Sequence, residues 1–344
     1  MELKGKTAMV TGGAGFIGSE LVRQLLSEGA RVVVLDNFVS GDMSNLTDVL
    51  EQVDVVEKDI LDPDLEKIIA RKGVNCLFNL AAEPYIPHCY DYPRKFFDVN
   101  ATGAMNVMLA CKGAGVERIL QYSSSEVYGS ARYVPMDEHH PLMPCSTYAV
   151  SKLAADRLCY SLHKEQNLPI IILRQFNTYG PRETHPYIIP ELITQLNGGN
   201  RLKLGNVEAR RDLTYVEDSA RGAVMLMKCD QAVGQVVNLG QGHDWSVGEL
   251  ARIIGRLMGH DDIQVVVEDE RLRPMDVNRL NCSYFKAMTL FGYRPQVSLE
   301  EGLRRTIEWY RQNGHQWVWE TKMAAEESIW KREGCDRPSD SGTD

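Results

Sequence analysis

A chain of 344 residues, 44% hydrophobic and 25% charged, has the composition of an ordinary globular protein, and its length favours a large α/β domain with a smaller second lobe. Its net charge of −9 disfavours nucleic acid as a partner, because phosphate backbones repel an acidic protein. No apolar stretch reaches the roughly 18 residues that a membrane span needs, and the amino terminus lacks the pattern of a secretory signal, so we expect a cytoplasmic protein without a membrane anchor.

The eight cysteines are scattered along the chain, with no C-x-x-C pair and no spacing typical of metal ligands. Free cysteines in a cytoplasmic protein usually pack in the interior as reduced thiols. We therefore interpret them as packing residues and expect no metal site.

Strand-like apolar runs alternate with segments of helical periodicity through the first half of the chain. The expected strands are 7–10, 31–35, 53–57, 76–80, 118–122 and 170–173. Such alternation is typical of parallel βαβ units. Because the runs are continuously apolar, we expect helices on both faces of the sheet. The predicted fold class is α/β, a Rossmann-like doubly wound parallel sheet.

The character of the chain changes after about Phe176, where a turn-rich segment precedes a helix-like run. We expect residues 1–176 to form the main domain and residues 177–320 to form mainly a smaller second lobe. A strand-like segment near 232–243 is expected to return to the main sheet. Residues 321–344 are expected to form a C-terminal helix and tail.

A glycine-rich turn follows the first strand and opens a helix. Gly12, Gly15 and Gly18 have G-x-x-G-x-x-G spacing, with Phe16 and Ile17 inside the motif. Without side chains the backbone can turn sharply and approach a pyrophosphate, and the helix N-terminus offers free N–H groups and a positive dipole. The position of the motif between a strand and a helix predicts a dinucleotide-binding turn.

An acidic residue, Asp36, ends the second strand about 20 residues after the glycines, where a carboxylate can bind the hydroxyls of the adenosine ribose. It predicts NAD rather than NADP as the cofactor. The alternative is that Asp36 and Asn37 only cap a turn. Further cofactor-binding candidates, most of them at or after the ends of the third and fourth strands, are Asn37, Asp59, Ile60, Leu80, Ala81, Ala82 and Asn100.

Tyr148 and Lys152 are four residues apart and so share one face of a predicted helix. A lysine ammonium beside a phenol stabilises the phenolate and lowers the pKa of the tyrosine, which predicts proton exchange by Tyr148 near neutral pH. Alone, this spacing is common on solvated helix faces. Here it follows a strand that ends in Ser123-Ser124-Ser125-Glu126, which favours a catalytic role.

Taken together, these blocks resemble the extended short-chain dehydrogenases/reductases that modify nucleotide sugars. Asn-Leu-Ala-Ala, Tyr-Ser-Ser-Ser-Glu-Val-Tyr-Gly, Asn-Thr-Tyr-Gly-Pro-Arg and Arg-Asp-Leu-Thr-Tyr-Val-Glu-Asp occur in the order of that family, over roughly residues 5–310. The resemblance implies an NAD-binding Rossmann-like domain, a C-terminal lobe that binds a nucleoside diphosphate sugar, and a homodimer.

The resemblance also implies roles for the catalytic residues. Tyr148 is the expected general base, Lys152 holds its phenolate and the nicotinamide ribose, and Ser124 binds the sugar oxygen; together they oxidise C4. A simple 4-epimerase has no need of a carboxylate at Glu126, which suggests proton abstraction at C5. Ser125 and Glu126 replace the Asp-Glu pair of dTDP-glucose dehydratases and are closer to GDP-mannose and certain UDP-N-acetylglucosamine dehydratases.

The sequence is therefore most similar to nucleotide-sugar 4,6-dehydratases, which oxidise C4, eliminate water across C5–C6 and return the hydride to C6. UDP-glucuronate decarboxylases also carry Ser-Glu, and 4-epimerases share the first oxidation, so both remain alternatives. A non-catalytic NAD-binding regulator is a further alternative, which the intact Ser124, Tyr148 and Lys152 disfavour.

Substrate-binding candidates are polar residues that follow the fourth strand or lie in the second lobe. Arginine is suited to bidentate contacts with phosphate, although ordinary surface arginines are the alternative interpretation. The candidates are Glu83, Tyr85, Asn177, Arg182, Arg211 and Arg279.

Overall fold

The computed structural model describes residues 1–273 and 275–314. Its strands are β1 Thr7–Thr11, β2 Arg31–Asp36, β3 Val53–Glu57, β4 Cys76–Asn79, β5 Arg118–Ser124, β6 Ile170–Gln175, β7 Thr178–Tyr179, β8 Arg201–Leu204, β9 Arg210–Asp212, β10 Thr214–Tyr215, β11 Val236–Leu239, β12 Asp244–Ser246 and β13 Gln264–Val267. Its α-helices are α1 Phe16–Ser27, α2 Leu65–Lys72, α3 Pro93–Phe97, α4 Ala104–Ala114, α5 Thr147–Gln166, α6 Ile188–Asn197, α7 Val216–Lys228, α8 Val247–Leu257, α9 Phe285–Phe291 and α10 Leu299–Asn313.

A seven-stranded parallel sheet in the order β11-β6-β5-β4-β1-β2-β3 forms the centre of the described chain. The strand order reverses at β1, whose neighbours are β2 and β4. In doubly wound sheets, ligands bind at the carboxyl ends of the strands beside such a reversal. The topology therefore places a binding cleft above β1 and β4.

The sheet is buried on both faces, which explains the continuously apolar strands. In β1, Ala8 and Val10 pack into one core while Met9 packs into the other. Helices α1 and α7 cover the first face, and α2, α4 and α5 cover the second. This arrangement confirms the predicted doubly wound α/β fold.

A third core lies in the smaller lobe, where α6, α8 and α10 pack around β8. The lobe also contains the pair β8–β13, which is parallel, and the pair β9–β12, which is antiparallel. Strand β11 leaves this region and pairs with β6 at the edge of the main sheet. The boundary at residue 176 remains a prediction, and residues 321–344 lie outside the described part of the chain.

Two strands extend two residues beyond the sequence pattern. β5 continues to Ser124 and β6 to Gln175, because the polar ends of both strands are buried and keep their parallel pairing. Among the residues described, no helix is long and apolar enough to cross a membrane.

Candidate active site

A cavity of about 680 Å³ opens at the carboxyl ends of the central strands. Of the residues predicted from the sequence to bind or react, all but Asn100, Arg182 and Arg279 line it. The glycine turn and Asp36 line one part of it, and Ser124, Glu126 and Tyr148 line another. One continuous cavity therefore joins the predicted cofactor and sugar sites.

The glycine turn allows close approach of the backbone. Gly12 has a positive φ of 68°, and a Cβ on it would lie 3.0 Å from the backbone nitrogen of Ala81. A Cβ on Gly18 would lie 2.0 Å from the carbonyl oxygen of Gly12. In the described residues, no side chain caps α1, which begins after Gly15. The cradle therefore fits a pyrophosphate at the helix N-terminus.

Asp36 is 6% exposed and combines the two roles considered from the sequence. Its Oδ2 accepts a hydrogen bond from the Ala14 N–H at 2.9 Å and its Oδ1 accepts one from the Phe38 N–H at 2.9 Å, so it does order the local turn. It also lines the cavity, and carboxylate oxygens have further lone pairs for ribose hydroxyls. Nearby, the Asn37 amide donates to Asp59 at 2.7 Å.

The catalytic candidates come from two elements that meet at the cavity. Ser124 ends β5, and its hydroxyl accepts a hydrogen bond from the Glu126 N–H at 3.2 Å, which starts the short 3-10 helix Ser125–Tyr128. Tyr148 lies in the first turn of α5, which the Ser146 hydroxyl caps. Ser124 lies close enough to the Tyr148 phenol to lower its pKa in part, so the two elements meet at these two side chains.

The protonation of the tyrosine differs from the sequence-based expectation. Burial raises the pKa of Tyr148 to about 12, although the hydrogen bond with Ser124 lowers it in part. The ammonium of Lys152 donates to the Tyr122 carbonyl at 2.6 Å. Burial lowers the pKa of Lys152 itself to about 8. The tyrosine is therefore not ionised near neutral pH, contrary to the sequence-based expectation, and assistance of its phenolate by Lys152 stays a prediction.

Asn100 does not line the cavity, but its hydrogen bonds connect two segments that do. It lies in a π-helical turn, Asp98–Gly103, between α3 and α4. Its side chain accepts from the Glu83 N–H at 2.8 Å and donates to the Glu83 carbonyl at 3.1 Å and to the Ser151 hydroxyl at 2.9 Å. These bonds tie the loop after β4 to helix α5.

The predicted arginines separate into two groups. Arg211 lines the cavity and is 11% exposed, with an Asp276 oxygen at 3.3 Å. Arg182 pairs with Glu20 at 2.7 Å, and Arg279 pairs with Asp244 at 2.6 Å, away from the described cavity wall. The structure therefore does not bring these two arginines to the predicted substrate site, because carboxylates from distant segments hold them elsewhere.

Asn177 lines the cavity as predicted. Its side-chain oxygen is buried and has no hydrogen-bond partner among the described residues. Buried polar atoms are normally paired, so this oxygen fits a donor group on a ligand.

The cavity wall carries a ring cluster of Tyr85, His185 and Tyr187; Tyr85 was predicted from the sequence, whereas His185 and Tyr187 were not. His185 stacks on Tyr85 with ring centres 5.6 Å apart, and Tyr187 meets Tyr85 edge-on at 5.7 Å. The Tyr187 hydroxyl donates to the Pro84 carbonyl at 2.8 Å. Burial, together with the charge of His88, lowers the pKa of His185 to about 3, so this imidazole is neutral at physiological pH.

Arg271 and Arg273 also line the cavity and were likewise not singled out from the sequence.

Comparison with known proteins identifies the family. The sequence model described as GDP-mannose 4,6 dehydratase matches residues 9–306, which is most of the chain. The protein belongs to this family. The family assignment confirms the predicted resemblance to nucleotide-sugar dehydratases and epimerases and the prediction of an enzyme.

Relatives of this GDP-mannose 4,6-dehydratase family member catalyse different reactions. UDP-glucuronic acid decarboxylase 1 of Xenopus tropicalis is 31% identical over 320 residues, covering 89% of this chain and 72% of that protein. The structure of an epimerase of Methanothermobacter thermautotrophicus has a TM-score of 0.85 and 34% identity, covering 94% of this chain and 96% of the other.

A third relative supports the predicted cofactor. A dTDP-glucose 4,6-dehydratase of Streptomyces venezuelae, solved with NAD bound, has a TM-score of 0.83 and 33% identity, covering 92% of this chain and 99% of the other. The NAD bound to that relative is the same cofactor that Asp36 and the glycine turn predict for this chain. The reaction of this family member has to be argued from its own site, because these relatives comprise a decarboxylase, an epimerase and a dehydratase.

Proposed function

We propose that this protein is an NAD-dependent nucleotide-sugar 4,6-dehydratase. The observation that carries the proposal is the Glu126 carboxylate, which is 7% exposed and lines the cavity beside Ser124 and Tyr148. After burial itself, the charge of Glu126 contributes to the raised pKa of Tyr148, so the two groups are near neighbours. A carboxylate in this place can take a proton from C5, which is next to the C4 whose hydroxyl Tyr148 deprotonates.

The glycine turn and Asp36 are the groups that would hold NAD, which, when bound, supplies the hydride acceptor for C4. Tyr148 takes the proton of the C4 hydroxyl, and Ser124 binds the same oxygen. Because Tyr148 starts as a neutral phenol, its own proton must first pass to solvent before it can act as a base. The hydrogen bond from Ser124 favours that loss, since it stabilises the phenolate.

Glu126 performs the second half of the reaction. A ketone at C4 makes the C5 proton acidic, and the Glu126 carboxylate removes it. The C6–O bond then breaks, and the departing hydroxide takes that proton from Glu126 and leaves as water. The hydride taken from C4 would then return to C6 while C5 takes a proton that originates in solvent, which completes the reaction. Ser125 stands where other dehydratases carry an acidic residue, so in this proposal Glu126 serves both as base and as acid.

The wall that carries the ring cluster fits an uncharged sugar. His185 is neutral, and burial raises the pKa of the Glu183 carboxyl and of the Tyr187 phenol well above their ordinary values. An uncharged hydroxymethyl group at C6 can be buried against such a wall without the free-energy cost of burying a charge, whereas a carboxylate there would incur that cost. This favours dehydration over decarboxylation of a uronate.

The test is to incubate the purified protein with UDP, GDP, dTDP and CDP sugars and to weigh the products. We expect loss of water from one neutral sugar nucleotide, with deuterium from heavy water at C5. Loss of carbon dioxide from a glucuronate would replace the proposal with decarboxylation. An unchanged mass with no label at C5 would replace it with epimerisation.

The homodimer and the cytoplasmic location remain proposals. Helices α4 and α5 pack side by side and expose apolar side chains at Met105, Leu109, Val150 and Tyr160, which are 38–46% exposed. Such a face is suited to a second copy of the chain. Light scattering should give twice the chain mass, and Leu109→Glu should shift it to the monomer; a monomeric parent protein would contradict the proposal.

A further inference from the structure

A buried ion pair lies behind the catalytic residues. The side chains of Asp156 and Arg174 are 0% and 2% exposed. The Arg174 Nε donates to Asp156 Oδ2 at 2.9 Å, and its Nη2 donates to Oδ1 at 3.2 Å. Hydrogen bonding from Arg174 and its charge hold the pKa of Asp156 below its ordinary value, although burial alone acts in the opposite direction. The pair is therefore ionised and makes two specific contacts.

Two further contacts extend this pair to the segment that carries Glu126. The Ser123 hydroxyl donates to Asp156 Oδ2 at 2.8 Å. On the other side, the Arg174 Nη1 donates to the Tyr128 hydroxyl at 3.0 Å, and that hydroxyl donates to the Asn238 side-chain oxygen at 2.7 Å. We call these five residues the buried polar chain.

The buried polar chain holds both ends of the short segment that carries Ser124, Ser125 and Glu126. Ser123 immediately precedes the segment in β5, and Tyr128 is the last residue of the 3-10 helix that contains Glu126. Asp156 lies on α5, two helical turns after Tyr148. The two catalytic elements are thus bonded to one another through Asp156 and Arg174, out of reach of the substrate.

We propose that Tyr128 and Asp156 are positioning residues that fix Glu126 and Ser124 against Tyr148. The inference rests on the proposed function where it concerns Glu126. An apolar pair of similar volume often stabilises a fold as well as a buried ion pair does, so stability alone is a weak reason for this arrangement. Geometry is the stronger reason, because a misplacement of about 1 Å can cost about 10²-fold in rate.

Tyr128 offers a narrow test, because its ring and its hydroxyl have separate contacts. Arg174 lies over the ring at 4.9 Å, and the ring packs in a small core with Phe176. Tyr128→Phe keeps these contacts and removes only the hydroxyl between Arg174 and Asn238. We expect kcat to fall about 10- to 100-fold, while KM and NAD affinity stay within about threefold of the parent.

The product pattern distinguishes positioning from general damage. If Glu126 shifts, elimination slows more than C4 oxidation, so the Tyr128→Phe variant should release or accumulate 4-keto sugar that retains its C6 hydroxyl. The matched control is Tyr133→Phe, because the Tyr133 hydroxyl bonds Asp137 in an exposed loop and has no other hydrogen bond among the residues described. This control should retain parental kcat and a single dehydrated product.

Asp156 provides a second measurement through Lys152, which lies one turn earlier on α5. Burial lowers the pKa of Lys152, and the charge of Asp156 acts in the opposite direction. Asp156→Asn therefore lowers the lysine pKa further, and the alkaline limb of the kcat profile should move to lower pH. A purely structural role for Asp156 would lower the amount of folded protein without moving this limb.

The outcomes separate the two proposals. If the parent protein eliminates water and Tyr128→Phe has parental kcat and products, the positioning role is wrong while the dehydratase function stands. If the parent instead epimerises, the dehydratase function is wrong, and the positioning role is then judged on C4 oxidation, which uses Ser124. In that case an unchanged kcat in Tyr128→Phe and an unmoved alkaline limb in Asp156→Asn would overturn it.

Discussion

The cofactor part and the sugar part of the cavity are built in different ways. The cofactor part depends on backbone: glycines without side chains, a helix N-terminus and one carboxylate, contributed by β1, α1 and β2. The sugar part depends on side chains from segments far apart in sequence, including Glu126, Tyr148 and Tyr187. The first part is therefore set by local sequence, whereas single substitutions can change the chemistry of the second part without changing the fold.

The largest effect is expected from Tyr148→Phe on the sugar side. The variant lacks only the phenolic hydroxyl, so turnover should fall by about 10²–10⁴-fold or more while sugar-nucleotide binding is retained. Steady-state kinetics and calorimetry measure the two quantities. Tyr133→Phe is the control, because Tyr133 is 44% exposed and lies away from the cavity wall. Near-normal turnover of Tyr148→Phe would remove this residue from its assigned role.

Glu126→Gln should separate the two halves of the reaction. The amide cannot accept the C5 proton, so elimination should slow by about 10²–10⁴-fold while C4 oxidation continues. Reduced cofactor and 4-keto sugar should then accumulate, which absorbance and mass spectrometry detect. Equal loss of both steps would show that Glu126 has no distinct task in elimination.

Asp36→Ala should weaken NAD binding on the cofactor side by about 1–3 kcal/mol, because the ribose hydroxyls lose a charged acceptor. Titration of the purified protein with NAD measures the change. The parent should prefer NAD to NADP, and the opposite preference would contradict the assignment of Asp36. Sugar-nucleotide binding should change little if the two parts of the cavity are as separate as the comparison implies.

The pH dependence of turnover should show an alkaline limb near pH 8. The pKa of Lys152 is about 8 because burial disfavours its charged form, so the ammonium is lost as the pH rises through that value. If the ammonium assists the phenolate of Tyr148, kcat should fall about tenfold per pH unit above the limb. A flat profile up to pH 10 would show that Lys152 is needed only for its hydrogen bond to Tyr122.

The smallest effect is expected at Arg279. Its side chain is 45% exposed and pairs with Asp244, so Arg279→Ala should change kcat/KM by less than about threefold. Arg211→Ala, at an 11% exposed residue of the cavity wall, should raise KM by more than about tenfold. Equal effects of the two substitutions would remove the distinction drawn between these arginines.

Much of the fold was predictable, because the hydrophobic pattern of each element and the order of the motifs can be read from the sequence. Continuous apolar strands required two covering layers, and the glycines between β1 and α1 identified the cofactor turn. Ser124, Tyr148 and Lys152 were found from short motifs. The partners of Arg182 and Arg279 were not visible, since Glu20 and Asp244 come from distant segments. The raised pKa of Tyr148 depends on burial, and the ring cluster at His185 depends on how the loops pack. Neither feature produces a periodic pattern in the sequence.

The return of β11 to the main sheet has a consequence for engineering. The chain passes from β6 to the small lobe, comes back to the sheet at β11, goes out again to β12 and α8, and returns once more to pack α9 on the sheet. A chimera made by a single crossover after Phe176 would therefore join β6 to a foreign β11 and exchange part of the Rossmann core with the lobe. Substrate preference therefore cannot be exchanged as one contiguous segment. It has to be changed by individual substitutions while the rest of the chain is kept.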